Sequence, residues 1–165
     1  MQELVITSVS RPKPHTYFAE PELGFLNWDT LLWRFAAEKS YWLATADGAP
    51  HTMPVWDIWQ DCAFRFSTDP TSKKARNLRQ QPRASVHLAN TEAVMVMECT
   101  ARELTEAREL QSFLDDYNPK YKWQFTLDDV RQGVFALTPF KAFAWSAGEG
   151  EQFHNTGTRW TFSLS

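Results

Sequence analysis

The chain has 165 residues and a mass of 19.1 kDa, the size of one ordinary domain. Its 43% hydrophobic content excludes a disordered chain, and its formal charge of −3 removes the overall positive field that non-specific nucleic-acid binding needs. The longest apolar run, Ala93 to Met97, falls far short of the roughly 18 residues of a membrane span. No apolar signal region follows Met1, so a soluble, cytoplasmic protein with no membrane or nucleic-acid partner is expected. Cys62 and Cys99 form no CxxC pair and read as free buried thiols. Eight tryptophans are many for so short a chain, which points to indoles lining a pocket or an interface.

Residues 1–26, with Pro12, Pro14 and Pro21, read as an extended arm, and residues 27–165 as the folded domain. Asn27 is a capping residue ahead of Trp28, Leu31, Leu32, Phe35 and Ala36 at helical spacing, so a helix runs to about Glu38. The period then changes to two. Tyr41–Ala46 is a strand, Asp47-Gly48 a hairpin turn, Ala49–Trp59 a second strand and Cys62–Ser67 a third, together a three-stranded meander. A short basic helix near Ser72–Gln81 ends at Pro82. Strands follow near Ala84–Leu88 and Ala93–Leu104, then a helix over Glu106–Tyr117 stopped by Asn118-Pro119. Strands near Val134–Leu137, Lys141–Trp145 and Arg159–Phe162 close the chain, the last two separated by a Gly-rich polar loop. This order predicts an α+β protein: a small closed or nearly closed antiparallel β-barrel with peripheral helices.

The richest chemistry lies between Phe66 and Arg79. Ser72 is a good N-cap, yet Lys73 and Lys74 occupy the first helical turn, where free N–H groups and the helix dipole already disfavour cations. An anion at that spot resolves the conflict. Hydroxyls of Ser67, Thr68 and Ser72, the N–H groups and two ammonium groups would together hold a phosphate. The competing reading is a solvated basic helix face, which suits Arg76, Arg79 and Arg83.

The run Ser67-Thr68, then Ser72-Lys73-Lys74, then Asn77-Leu78 and Pro82-Arg83, resembles the phosphate segment of the pyridoxamine 5′-phosphate oxidase-like, flavin-binding split-barrel family, with matching spacing. Trp42-Leu43-Ala44-Thr45, Asp47-Gly48-Ala49-Pro50-His51 and Phe143-Ala144-Trp145 with Thr158-Arg159-Trp160 fall in the family order. The resemblance implies a homodimer of six-stranded split barrels with flavin mononucleotide (FMN) at the subunit interface. Lys73 and Lys74 then match the residues on the flavin phosphate and Thr68 a contact beside them. His51, Thr52, Met53, Pro54, Val55 and Trp56 match the segment along the ring and ribityl chain. Trp145 and Arg159 match residues reaching the flavin from the second subunit. The family's C-terminal R-x-H-x-R motif is here Asn155-Thr156-Gly157-Thr158-Arg159, and its R-P…S-Q substrate segment is absent from Asp115–Trp123, so pyridoxamine phosphate is not the expected substrate.

The expected function is therefore an FMN-dependent oxidoreductase of a small organic substrate, with a nicotinamide nucleotide as a candidate partner. Alternatives are a reductase using a coenzyme of the 8-hydroxy-5-deazaflavin type, and a non-catalytic flavin or haem binder. His51 and His87 on strands read as hydrogen-bonded structural residues, His15 and His154 fall in loops, and no pair among the four has metal-ligand spacing. One of Trp56 and Trp59 is expected inside and the other over cofactor or partner. Tyr117, Tyr121 and Trp123 around Lys120 and Lys122 read as a substrate rim or as amphipathic anchors. Asp115-Asp116 and Asp128-Asp129 read as solvated charges.

Overall fold

The computed structural model describes residues 2–11, 24–90, 93–146 and 156–165. Pro12, Pro14, Pro21, His15, His154, Asn155 and most of the Gly-rich loop lie outside the described residues. In chain order the elements are β1 (Leu4–Ser10), α1 (Trp28–Ala37), β2 (Tyr41–Ala46), β3 (Pro50–Val55), β4 (Asp57–Gln60), β5 (Ala63–Ser67), α2 (Lys73–Gln80), β6 (Arg83–His87), β7 (Ala93–Glu103), α3 (Ala107–Tyr121), β8 (Val134–Ser146) and β9 (Thr158–Leu164).

Every strand pairing is antiparallel, and the sheet runs β1-β9-β8-β7-β6-β2-β3, with β4 and β5 branching from β8. The α+β class is as expected, but the six-stranded barrel is not what forms: among the described residues the sheet has nine strands and stays open. Three local causes account for the difference. The N-terminal arm contains a strand, β1, laid on β9. The expected strand Ala49–Trp59 breaks at Trp56, so β3 pairs with β2 while β4 pairs with β5, and β5 joins β8 rather than completing a meander. The two strands expected between Val134 and Trp145 are one, because the register shift opposite Glu98/Cys99 carries β8 past Pro139, which has no N–H for the ladder.

Leu43, Val86, Met97, Ala142 and Trp160 form one register row on the inner face of the sheet, all within about 1% of full burial. Trp28 and Phe35 of α1, Phe64 and Phe66 of β5, and Ala75 and Leu78 of α2 close over this core. A second cluster packs Leu110, Phe113, Leu114 and Tyr117 of α3 on Ile58, Ala63 and Ala136. Asn27 caps α1 by accepting the Thr30 N–H at 2.8 Å. Helix α3 continues through Pro119 to Tyr121 instead of stopping there; a proline in the last turn removes one backbone bond without displacing the residues after it. Among the described residues no helix is long and apolar enough to cross a membrane.

Candidate functional site

The loop from β5 into α2 is built by local chemistry. Ser72 caps α2, its Oγ accepting the Ala75 N–H at 3.3 Å and sharing a 3.2 Å hydrogen bond with Thr68 Oγ1. Asp69 accepts the N–H and the hydroxyl of Thr71, both at 2.6 Å, and these bonds hold its carboxyl below the usual range. Ser67, Thr68, Ser72 and Lys74 are all half-buried, and Lys73 is exposed. Lys73 Nζ lies 3.7 Å from Asp47 in the β2–β3 turn, while among the described residues no carboxylate pairs with Lys74. The first turn of α2 contains no acid. Two hydroxyls, a helix N-terminus and Lys74 thus belong to one loop whose acid, Asp69, is turned onto Thr71, an arrangement suited to a phosphate.

The arginines of α2 are exposed, as a solvated basic face requires, but they also brace the loop. Arg76 donates to the Thr71 carbonyl at 2.6 Å. Arg79 donates to the Pro70 carbonyl at 2.6 Å and forks onto both oxygens of Glu103 at 2.7 and 2.6 Å. Glu103 also accepts the Gly133 N–H at 2.9 Å, and the Thr68 N–H returns to the Gly133 carbonyl at 2.9 Å. A closed circuit, Thr68–Gly133–Glu103–Arg79–Pro70, therefore fixes the loop. Gly133 is required there: its φ is +83°, and a Cβ would lie 2.2 Å from the Thr68 oxygen. Beneath the helix, buried Asn77 donates to Thr45 Oγ1 at 3.0 Å and ties α2 to β2. Sequence reading missed Glu103, Gly133 and the Asn77–Thr45 bond; only the out-of-place Gly133 between Gln132 and a strand carried any signal.

Strand β3 starts beside this loop and leads away from it. Thr52 and Pro54 face outward, and His51, Met53 and Val55 face inward, as their register with Ala44, Trp42, Thr45, Leu43 and Tyr41 requires. Val55 is buried, whereas Met53 is 41% exposed at the sheet edge. From Pro50 to Trp56 the chain covers about 20 Å. Cavities touch this strand at its two ends: one of about 510 Å3 beside Pro50, Ala44 and Ser85, and one of about 330 Å3 at Trp56. A larger cavity of about 700 Å3 lies elsewhere, outside β5 and β7, among Arg65, Arg102 and Phe162.

Trp145 and Arg159 are not brought to the loop within one chain. Arg159 lies on an outward row Pro54–Trp42–His87–Val96–Phe143–Arg159, which β1 extends to Ser10, five strand spacings or about 24 Å along the sheet from β3. Its Nε donates to Ser10 at 3.1 Å. Trp145, paired in register with Val94, is half-buried near the end of β8. In His87, Nδ1 lies 2.9 Å from the Leu88 carbonyl oxygen. Among the described residues no cluster of three or more His, Cys, Asp or Glu is placed to hold a metal.

At the far end of β3, Trp59 is the indole turned inward, edge-on to Phe64, and Trp56 is 46% exposed. Next to it Asp57 is buried, and among the described residues neither carboxyl oxygen has a hydrogen-bond partner. Burial without a donor pushes its pKa well above the usual carboxyl value. Lys120 Nζ donates to the main-chain carbonyls of Ala36 and Asp57 at 3.0 and 2.9 Å, and burial lowers its pKa.

The sequence profile of pyridoxamine 5′-phosphate oxidase matches residues 31–146. The chain belongs to the pyridoxamine 5′-phosphate oxidase family. No curated protein matches it. Among solved structures it is similar to the conserved hypothetical protein Rv2991 from Mycobacterium tuberculosis (20% identity, 74% of this chain and 86% of that one, TM-score 0.65). It is also similar to a FAD-binding protein from Mesorhizobium loti (19%, 82% and 96%, TM-score 0.55) and to a heme binding protein from Mycobacterium smegmatis (18%, 79% and 54%, TM-score 0.58). At these identities the likenesses speak for the fold. The pyridoxamine 5′-phosphate oxidase profile spans the loop, α2 and β3, and it ends before Arg159.

Proposed function

We propose that this member of the pyridoxamine 5′-phosphate oxidase family binds FMN and acts as a flavin-dependent oxidoreductase on a small organic substrate other than pyridoxamine phosphate. The observation that carries this reading is the cationic, hydroxyl-lined start of α2, braced by the Gly133–Glu103–Arg79 circuit. Lys74, with Lys73 released from its long contact to Asp47, would hold the phosphate together with Thr68, Ser67 and Ser72. Strand β3, from His51 to Trp56, would align the ring system along the sheet edge. When bound, flavin supplies the hydride chemistry, and the protein orients the ring and limits its contact with water. Arg76 is engaged on a loop carbonyl and Arg79 on a loop carbonyl and Glu103, which weakens the basic track that the polyanionic tail of a deazaflavin coenzyme would use and favours FMN.

The reading includes a homodimer. Arg159 shares the outward face with Trp42, Val96 and Phe143 but lies at the opposite side of the sheet from β3, so a site that uses both draws Arg159 from a second copy. The test is FMN titration by calorimetry. Wild-type protein should bind one FMN per chain, and Lys74→Ala should weaken binding about ten- to a hundredfold, the worth of one charge-assisted contact. A wild-type protein that does not bind FMN, or equal affinity in the variant, refutes it.

A further inference from the structure

Strand β1 buries little of itself: Val5 to Val9 are all exposed, so the hydrophobic effect gives it a weak hold on β9. Specific bonds gather instead where it ends. Ser10 lies opposite Arg159 in the register, and its Oγ accepts the Arg159 Nε–H at 3.1 Å. Arg11 donates to the carbonyls of Gly157 and Gly24, both at 2.8 Å, with its guanidinium 5.0 Å from the centre of the Phe25 ring. The Leu26 N–H donates to Thr158 Oγ1 at 3.1 Å, and Thr158 is fully buried. Residues 157–159 are thus clamped by two separate segments of the N-terminal arm.

The clamp acts on one side chain. A long arginine on the face of a sheet loses much rotamer freedom when it engages a ligand, and that loss subtracts from affinity. With its backbone clamped and its Nε on Ser10, Arg159 has already given up part of that freedom. Among the described residues no carboxylate pairs with Arg159, and its Nη1 and Nη2 have no hydrogen-bond partner. The guanidinium, half-buried and opposite Phe143 in the register, therefore keeps its Nη edge for an acceptor outside the chain.

We propose that Ser10 is a positioning residue of the flavin site: the N-terminal arm fixes the plane of the Arg159 guanidinium, so that its Nη edge is presented ready-made to the flavin held by a second copy. The inference rests on the flavin reading, which is what gives Arg159 a ligand. Ser10 and Arg159 both lie outside residues 31–146, the part of the chain that the family profile covers, so this brace is a feature of the flanking segments and not of the matched domain. It gives the arm a task that its small buried area does not explain.

The experiment is FMN calorimetry on the full chain with Ser10→Ala, Ser10→Thr, Arg159→Gln and the Ser10→Ala/Arg159→Gln double variant. Ser8→Ala is the matched control, because Ser8 Oγ bonds Thr161 Oγ1 at 2.7 Å between the same two strands without touching Arg159. Ser10→Ala should weaken FMN binding about threefold. Ser10→Thr, which keeps the hydroxyl, and Ser8→Ala should bind as wild type does, and Ser10→Ala should cost nothing further in the Arg159→Gln background. A second readout needs no flavin: the Arg159 Nε–H, followed by nuclear magnetic resonance, should exchange slowly in wild type and fast in Ser10→Ala. Unchanged FMN affinity in Ser10→Ala, an equal loss in Ser8→Ala, a loss repeated in the Arg159→Gln background, or fast exchange in wild type overturns the inference and leaves the flavin reading in place. A wild-type chain that binds no FMN overturns the flavin reading and the inference with it.

Discussion

Gly133 offers the sharpest test of how the phosphate loop is held. Replacing it with alanine introduces a Cβ 2.2 Å from the Thr68 carbonyl oxygen and 3.3 Å from the Pro70 nitrogen, both backbone atoms that cannot swing aside. The residue also has φ +83°, where alanine carries a strain of about 1–2 kcal/mol. Relieving the clash means parting Thr68 from Gly133, with loss of the 2.9 Å hydrogen bond between them, a further 0.5–1.5 kcal/mol or so. The sum is about 1.5–3.5 kcal/mol. At a urea dependence of about 2 kcal/mol per molar, the unfolding midpoint should drop by about 1–2 M. Gly48→Ala is the matched control: its φ is +98°, but nothing lies within 4 Å of the new Cβ, so only the strain of about 1–2 kcal/mol applies. Equal midpoints for the two variants would refute the claim that close approach, rather than backbone conformation alone, makes Gly133 indispensable.

Arg79 holds the Glu103 carboxyl below its usual pKa by a forked hydrogen bond, so the folded value lies under the unfolded one. Its stabilising contribution is then full above about pH 4.3 and lost as pH falls through the lower folded value, and urea midpoints of wild type should decline more steeply below pH 4.3 than those of Glu103→Gln. Asp57 has the opposite sign: its pKa is raised by burial, so its penalty is absent below about pH 3.9 and grows as pH rises toward the folded value. Asp57→Asn should therefore be more stable than wild type at neutral pH, with the gap closing near pH 4; a constant gap would show that the carboxyl is not what responds. Sedimentation should give a dimer of 19.1 kDa chains with a buried interface above about 2,000 Å2, and a monomer that binds FMN in full stoichiometry would count against a shared site.

What is legible in the sequence is local. Asn27 and Ser72 announce α1 and α2 because a cap acts within three residues, and both bonds form as expected. The clash of Lys73 and Lys74 with the helix dipole is equally local, and it marks the loop that the structure braces. Contact between distant segments is not legible in this way. Nothing near Arg79 in sequence signals Glu103, and nothing near Thr68 signals Gly133, yet these set the loop's shape. The break at Trp56 is hidden because its one polar mark, Asp57, is buried with Val55 and Ile58 instead of turning out into a loop, so the apolar run reads as continuous. Strand β1 is hidden for the opposite reason: Val5 to Val9 are all exposed and among the described residues β1 pairs with β9 alone, so no alternation betrays it.

The extension of α3 past Pro119 ties these differences to the chemistry. Had the helix stopped at Asn118, Lys120 and Tyr121 would be free rim residues. As built, their polar ends reach the C-terminal carbonyls of α1 and the Asp57 carbonyl, acting as a helix cap together with Tyr41, whose hydroxyl donates to Phe35 and Glu38. Tyr41 and Tyr121, enclosed beside the buried Asp57, have their pKa values raised by burial, so both stay neutral donors at physiological pH. The segment that in the sequence departs from the family's substrate motif is thus partly structural here. Only the next residues, Lys122 and Trp123, remain open toward the end of β3. A single joint therefore anchors α1, α3 and β4, and it holds Trp123 beside Trp56, at the end of the strand along which the flavin ring is proposed to lie.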